Sequence, residues 1–149
     1  MSAANRRKRV LVATDGSETS RRAVDFAAQL TKLWDGELIV LTVRTVLSPE
    51  ELRKLARANN YDLGIATEIL VGRILDDAAE LAKGRGVNMI KPLTVSGDPA
   101  SATVKAAKAE QVDMIVAGRR GLGAVSRLLL GSVSGKIVAN ATCAVSVIP

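Results

Sequence analysis

The chain has 149 residues, a formal net charge of +6, one cysteine and no histidine. This length predicts a single domain over residues 1–149 with its own core. The missing histidines exclude His-based triads and histidine metal ligands. Aromatic residues make up only 2% of the chain, which argues against binding single-stranded nucleic acid by base stacking.

The same composition bears on where the protein works. One cysteine cannot form a disulfide within the chain and fits a reducing compartment. The N-terminus lacks the apolar core of a signal peptide, and no apolar run reaches the length of a membrane span. We therefore expect a cytoplasmic protein that binds neither membrane nor nucleic acid. The basic segment Arg6–Arg9 is interpreted as a solvated lead-in to the first strand; a nucleic-acid or membrane patch is the alternative.

The first half of the chain predicts two buried strands and the helices that follow them. Short apolar runs typical of such strands cover Arg9–Thr14 and Glu37–Val43. Between them, apolar residues recur at helical spacing from about Glu18 to Trp34, and Gly36 follows as a helix stop. Ser48-Pro49 then predicts the start of a short helix.

The second half predicts three more strands and three more helices. The run Val87–Val95 contains Pro92, which cannot donate to a sheet ladder, so this strand should lie at an edge. In the last helix, Val133, Ile137, Val138 and Ala141 are expected to share one buried face. The predicted helices of this half with clear bounds cover residues 63–83 and 98–110. The predicted strands cover residues 87–95, 113–117 and 144–148.

Alternating strands and helices predict an α/β fold, an open five-stranded parallel sheet with helices on both faces. The edge position of the Pro92 strand supports the order 3-2-1-4-5. In that order the first and fourth strands are neighbours at the point where strand order reverses. Ligands of open parallel sheets bind beyond the strand C-termini at this point.

Two loops follow those neighbouring strands. The turn Asp15-Gly16-Ser17 follows the first, and the segment GRRGLGAVSRLLLGSVS, residues 118–134, follows the fourth. Glycines at 118 and 121 would allow close approach of the backbone to a bulky anion. Gly131-Ser132 opens a helix whose first amides and dipole favour phosphate.

Side chains in these loops suggest a nucleotide rather than inorganic phosphate. Ser132 and Ser134 offer hydroxyl donors, and Asp15 could accept from a ribose hydroxyl or hold a phosphate-bound divalent cation. Taken singly, these features are also explained as a turn, a flexible loop and a helix N-cap. Neither a P-loop nor a GxGxxG fingerprint is present.

The spacing Gly118-x2-Gly121-x9-Gly131-Ser132 resembles the G-x2-G-x9-G-[ST] signature of the universal stress protein family. The likeness extends over nearly the whole chain. Val10–Ser17 resembles the family's first strand with its Asp, Ser96–Pro99 the turn before a helix, and Cys143–Pro149 the closing strand. The resemblance implies a Rossmann-like fold of the adenine nucleotide alpha hydrolase type.

The resemblance also implies an adenine nucleotide site for ATP, or for ADP or AMP, with Mg²⁺. Asp15 would lie by the ribose and phosphates and hold the cation, while Val43 would contact adenine. The other positions carried over to the nucleotide are Ala13, Thr14, Gly118, Gly121, Gly131, Ser132, Val133 and Ser134. The Arg119-Arg120 pair is unusually basic for this motif and is either solvated or a phosphate clamp, with Arg119 the better candidate.

Two departures from the family pattern lie near the end of the chain. Gly135 stands where family members often carry an acidic residue, which would loosen the last helix. Asn140–Cys143 replaces a more common His-Ala-Pro-Cys run.

The expected function is that of an ATP-binding, nucleotide-dependent stress-response or signalling module, with no catalytic residue assigned. One alternative is a slow ATPase or nucleotidyl-transfer enzyme at the same site, although no convincing base for activating water is found. Another is a non-catalytic, chaperone-like dimer with a vestigial pocket. The short apolar strand Ala144–Ile148 at a sheet edge predicts a homodimer formed through it, as the resemblance also implies.

Overall fold

A computed structural model of the chain describes residues 6–45, 49–50, 53–54, 63–119 and 130–149. Five parallel strands form one sheet in the order β3-β2-β1-β4-β5, which confirms the predicted fold class and strand order. Pro92 lies on edge strand β3, opposite Val40 of β2. The strands are β1 (Arg9–Ala13), β2 (Glu37–Arg44), β3 (Met89–Ser96), β4 (Met114–Gly118) and β5 (Ala144–Ile148).

Within the described ranges, four long helices connect the strands and cover both faces of the sheet. They are α1 (Glu18–Leu33), α2 (Leu63–Gly84), α3 (Pro99–Ala109) and α4 (Ser132–Asn140). Residues 49–50 and 53–54 are also helical, in the region of the predicted short helix, whose first residue Ser48 lies outside the described residues. No helix in the described part of the chain is both long and apolar enough to cross a membrane.

Each face of the sheet has its own apolar core because strand side chains alternate between faces. Val10 and Val12 of β1 pack with Ala23 and Ala27 of α1 and with Ala82 of α2. The other face joins β-strand residues to α3 and α4 in a cluster whose members include Leu11, Ile39, Leu41, Ile115, Ala107 and Ile137. Covering both faces explains why the central strands β1, β2 and β4 contain the continuously apolar runs 10–13, 38–41 and 114–117.

Helix α1 ends by a different device from the predicted glycine stop. Asp35, not Gly36, has the left-handed backbone, with φ of 47°. Gly36 is required for close approach instead, since a Cβ there would lie 2.6 Å from the carbonyl oxygen of Lys8. Helix α3 begins as predicted, because the Asp98 carboxylate accepts from the Ser101 amide at 3.0 Å. Hydrogen bonds from the amide and the side chain of Ser101 lower the pKa of the Asp98 carboxyl.

The predicted buried face of α4 is wrong. Ile137 is fully buried, but Val133 and Val138 are 41% and 47% exposed. The buried side of α4 instead carries Ser134 and Ile137, and Ala141 packs beside them against the same core. Val133 and Val138 each lie one residue from this stripe, so the helical rotation of about 100° per residue turns them away from the sheet.

The basic segment before β1 is tied to carboxylates at the N-terminal end of the sheet. Arg6 donates to both oxygens of Asp113, at 3.1 and 2.9 Å. The Arg9 amide donates to Asp113 at 2.9 Å, and the Arg9 guanidinium pairs with Glu37 at 3.1 Å. These bonds support the interpretation of the segment as the lead-in to β1.

Candidate functional site

Strands β1 and β4 are neighbours, with Val10 opposite Met114 and Val12 opposite Val116. The turn holding Asp15 and the first residues of the glycine-rich segment therefore leave the sheet at the same edge, the one formed by the C-terminal ends of the strands. This edge is where strand order reverses, since β2 and β3 lie on one side of β1 and β4 and β5 on the other. It is the position at which open α/β sheets bind ligands.

The turn after β1 holds Asp15 at the surface. Gly16 has φ of +81°, a left-handed conformation that favours glycine. The turn brings the Ser17 amide to Asp15 Oδ1 at 2.9 Å, an arrangement typical of aspartate turns. Ser17 then caps α1 by accepting from the Ser20 amide at 3.2 Å. The exposed Asp15 carboxylate is thus oriented by the backbone that starts the helix.

The Thr14 hydroxyl is hydrogen-bonded inside the protein, and the predicted place of Thr14 beside the nucleotide stays a prediction. Its side chain is buried, and Oγ1 lies 3.0 Å from Ser20 Oγ on the α1 side of the sheet. Its amide donates to the Leu41 carbonyl at 2.9 Å. Val43 and Ala13, also predicted near the nucleotide, lie on the opposite face of the sheet from the Thr14 side chain. Val43 packs against the α3–α4 core, and strand alternation puts Ala13 on that same face.

Gly118 is required by packing against the first turn of α1. A Cβ at this position would lie 2.8 Å from Cγ2 of Thr19 and 3.4 Å from the Thr19 carbonyl oxygen. The glycine is therefore explained by close approach of a neighbouring helix, without a ligand. Its predicted contact with a nucleotide stays a prediction.

Arg119 joins β4, β5 and α4 through its backbone. Its amide donates to the Ile148 carbonyl at 2.6 Å, and its carbonyl accepts from the Gly131 amide at 2.8 Å. The same carbonyl lies 2.7 Å from Ser134 Oγ, which is also 3.2 Å from the Gly131 carbonyl. Since a serine hydroxyl has one proton, the Ser134 hydroxyl donates within this segment in the structure, and the predicted contact of Ser134 with the nucleotide stays a prediction.

The N-terminus of α4 presents its first amides without a side-chain cap. Gly131 is the N-cap, with φ of −60° and ψ of 158°, and makes no side-chain capping bond. The first intrahelical bond runs from the Gly135 amide to the Gly131 carbonyl. The amides of residues 132–134 therefore lack helical acceptors, and the helix dipole adds partial positive charge. Ser132 and Val133 are exposed there.

Gly121, the middle glycine of the signature, lies outside the described residues, as does Arg120. Within the ranges that the structure describes, no three carboxylate or thiol groups come together to hold a metal ion. Asp15 is the single carboxylate predicted at this edge. Such a donor set fits a cation bound mainly by nucleotide phosphates, as is usual for Mg²⁺, rather than a cation held by the protein alone.

Cys143 lies away from this edge. A cavity of about 180 Å³ at the opposite end of the sheet is lined by Cys143 together with residues of α3 and Ile115 of β4. Burial raises the pKa of the Cys143 thiol, so little thiolate forms at neutral pH and the group is a weak nucleophile.

Sequence reasoning missed three residues around the Asp15 turn. Thr19 packs on Gly118, while the buried hydroxyls of Ser20 and Thr42 bond to Thr14. The available signal was polar residues at buried positions: Thr42 interrupts an apolar strand, and Ser20 lies one turn before buried Val24 on α1.

Residues 6–149 match the model of the universal stress protein family. The chain is similar to the universal stress protein YxiE of Bacillus subtilis, with 32% identity over 94% of this chain and 97% of the relative. It is 33% identical to universal stress protein Rv1636 of Mycobacterium tuberculosis over 87% of this chain and 88% of the relative. A crystal structure of a universal stress protein in complex with cAMP matches with a TM-score of 0.72, at 29% identity over 96% of this chain and 97% of the other. With its sheet order, its two loops and these similarities, the chain belongs to the universal stress protein family.

Proposed function

We propose that this protein is a single-domain ATP-binding module that signals by changing its partners when nucleotide is bound. The observation that carries the proposal is the adjacency of β1 and β4, which brings the Asp15 turn and the N-terminus of α4 to one edge. Support comes from the similar universal stress protein that was crystallised with cAMP, another adenine nucleotide.

The groups at this edge suit the parts of an adenine nucleotide. The exposed Asp15 carboxylate would accept from ribose hydroxyls, and the α4 amides at residues 132–134 would donate to phosphate oxygens. Val43 and Ala13, on the face of α3 and α4, would provide apolar surface for adenine. Mg²⁺ would bind the phosphates with help from Asp15, reducing repulsion between the carboxylate and the phosphates.

We infer a binding role rather than catalysis. The sequence contains no histidine, and Asp15, already bonded to the Ser17 amide, is the one carboxylate proposed at this site. A general base must reach the attacking water and have a pKa near the working pH. Asp15 serves the nucleotide and its cation instead, so hydrolysis of ATP is expected to be slow.

The direct test is to denature freshly purified protein and identify any released nucleotide by chromatography and mass spectrometry. Calorimetry of the emptied protein with ATP, ADP, AMP and cAMP follows, with and without Mg²⁺. We expect ATP to bind most tightly and Mg²⁺ to strengthen its binding. Lack of binding of any of the four would refute the proposal, and phosphate release at many turnovers per second would favour the enzyme.

We also propose a homodimer formed through β5. This strand is an edge of the sheet, half-exposed along most of its length, and unpaired strand edges attract a second strand. Two copies of Ala144–Ile148 would meet across a two-fold axis. Light scattering of the wild-type protein at micromolar concentration should give twice the mass of one chain.

Proline substitutions in β5 test this edge. Arg119 bonds to the carbonyl of Ile148, so the backbone groups of the alternate residue Val147 point to the open edge. Val147→Pro removes one outward N–H without removing a β4–β5 bond and should give a monomer. A strict monomer for the wild-type protein, or a dimer that is unaffected by Val147→Pro, would count against the interface.

A further inference from the structure

We propose that the buried hydroxyls of Thr14, Ser20 and Thr42 are positioning residues that hold the Asp15 turn in its nucleotide-binding conformation. This inference rests on the proposed function, because it assigns how that site is preorganised. Ser20 belongs to α1, Thr42 belongs to β2, and Thr14 directly follows β1. They lie beneath the binding edge, on the α1 side of the sheet.

Burial makes these hydroxyls costly unless they are hydrogen-bonded. Thr14 is 6% exposed, Ser20 5% and Thr42 4%. All three have partners, and all three bond within the turn that surrounds Asp15. A buried polar network with every member satisfied rigidifies its surroundings.

The donor and acceptor of each hydrogen bond in this network can be assigned. Ser20 Oγ donates to the Ser17 carbonyl at 2.9 Å, which uses its single proton. The 3.0 Å contact between Thr14 Oγ1 and Ser20 Oγ must then be donated by Thr14. Thr14 Oγ1 in turn accepts from the Gly16 amide at 3.2 Å. The chain of bonds thus runs from Gly16 through Thr14 and Ser20 to Ser17.

Thr42 ties this turn to the next strand. Its Oγ1 donates to the Thr14 carbonyl at 2.8 Å, and Val43, the predicted adenine contact, follows it directly in β2. The two sides of the proposed site are therefore linked through Thr14. The polar groups before and after Asp15 are bonded inward, whereas Asp15 itself is exposed.

This arrangement predicts an effect on affinity beyond any effect on folding. A turn already fixed in the bound conformation loses less conformational freedom when the nucleotide binds. Removing the Thr14 hydroxyl takes away the acceptor of the Gly16 amide and the donor to Ser20 Oγ at once, while Ser20 keeps its own bond to the Ser17 carbonyl. The ribose contact of Asp15 should suffer most because Asp15 lies between Thr14 and Gly16.

The test compares Thr14→Val, which keeps the shape and removes the hydroxyl, with Thr14→Ser, which keeps the hydroxyl. We expect Thr14→Val to bind ATP about 10-fold more weakly in calorimetry, and Thr14→Ser to stay within about 2-fold of wild type. Thr31→Val is the matched control: Thr31 is 1% exposed on α1, the helix that carries Ser20, and donates to the Ala27 carbonyl at 2.7 Å. It should lose stability in urea without losing affinity.

A second ligand tests whether the loss of ATP affinity in Thr14→Val acts through the ribose contact of Asp15. ATP lacking both ribose hydroxyls should be bound by wild type and Thr14→Val with affinities within about 3-fold of one another. An equal loss for both nucleotides would overturn the inference, and so would wild-type affinity for ATP in Thr14→Val. If Thr14→Val fails to fold, Ser20→Ala gives the same comparison. A wild-type protein that binds no adenine nucleotide would overturn the proposed function and this inference together.

Discussion

Gly118→Ala should lower the free energy of unfolding by about 1–3 kcal/mol, the usual cost of an added carbon in a closely packed site. The new Cβ would lie 2.8 Å from Thr19 Cγ2, so β4 and the first turn of α1 must separate or Thr19 must rotate. Thr19 Oγ1 accepts from Arg22 at 3.2 Å, which opposes that rotation. Urea denaturation followed by circular dichroism measures the loss.

Two further variants isolate the cause. Thr19→Ser removes the clashing Cγ2 methyl and keeps the hydroxyl that accepts from Arg22, so it should restore most of the stability in a Gly118→Ala background. Gly135→Ala is the control for adding a methyl group to the same region, because the nearest atom to its Cβ among the described residues would be Leu130 Cβ at 3.9 Å. It should stabilise α4 by about 0.5–1 kcal/mol. If Gly118→Ala matched wild type, Thr19 packing would not explain the glycine.

Gly131→Val should abolish ATP binding, with a loss of at least about 100-fold, or 2.7 kcal/mol. Gly131 is the N-cap of α4, directly before the amides proposed to bind phosphate. A branched side chain at this position would fill the space in front of them. The backbone itself tolerates valine, since φ of −60° and ψ of 158° lie in the extended region.

Calorimetry with ATP checks the result, and urea denaturation shows that the variant remains folded. Gly135→Ala, one turn further along α4, serves as the control and should bind ATP as wild type does. Unchanged affinity in Gly131→Val would refute the assignment of phosphate to this helix end, even if the protein binds ATP elsewhere.

The sheet could be predicted because single residues carried strong local information. Pro92 can occupy only a strand whose amide side is free, and that fact led to the strand order. Asp98-Pro99 begins a helix with a residue pair that is itself typical of a helix N-terminus. The neighbouring positions of the two loops then followed from the order of the strands.

The details of the site could not be predicted, because they depend on contacts between distant parts of the chain. No local pattern indicates that Thr19 would approach Gly118. Helix α4 has apolar residues on adjacent sides, so periodicity alone does not choose between Val133 and Ser134 for the buried face. Ser134 faces inward because the Arg119 and Gly131 carbonyls are its acceptors.

The central position of β1 has a consequence for how the protein is made. Arg9, at the start of β1, bonds to Asp113, 104 residues later. One side of β1 pairs with β2, and the other side can pair only after β4 has been synthesised. Contacts this distant in sequence carry a large loop-closure cost and slow folding. The proposed site draws on residue 15 and on the helix that begins at residue 132, so a nascent chain lacking α4 would lack part of that proposed site. ATP would therefore select the completed fold, and at 100 times its dissociation constant it would add about 2.7 kcal/mol to the apparent stability of the finished protein.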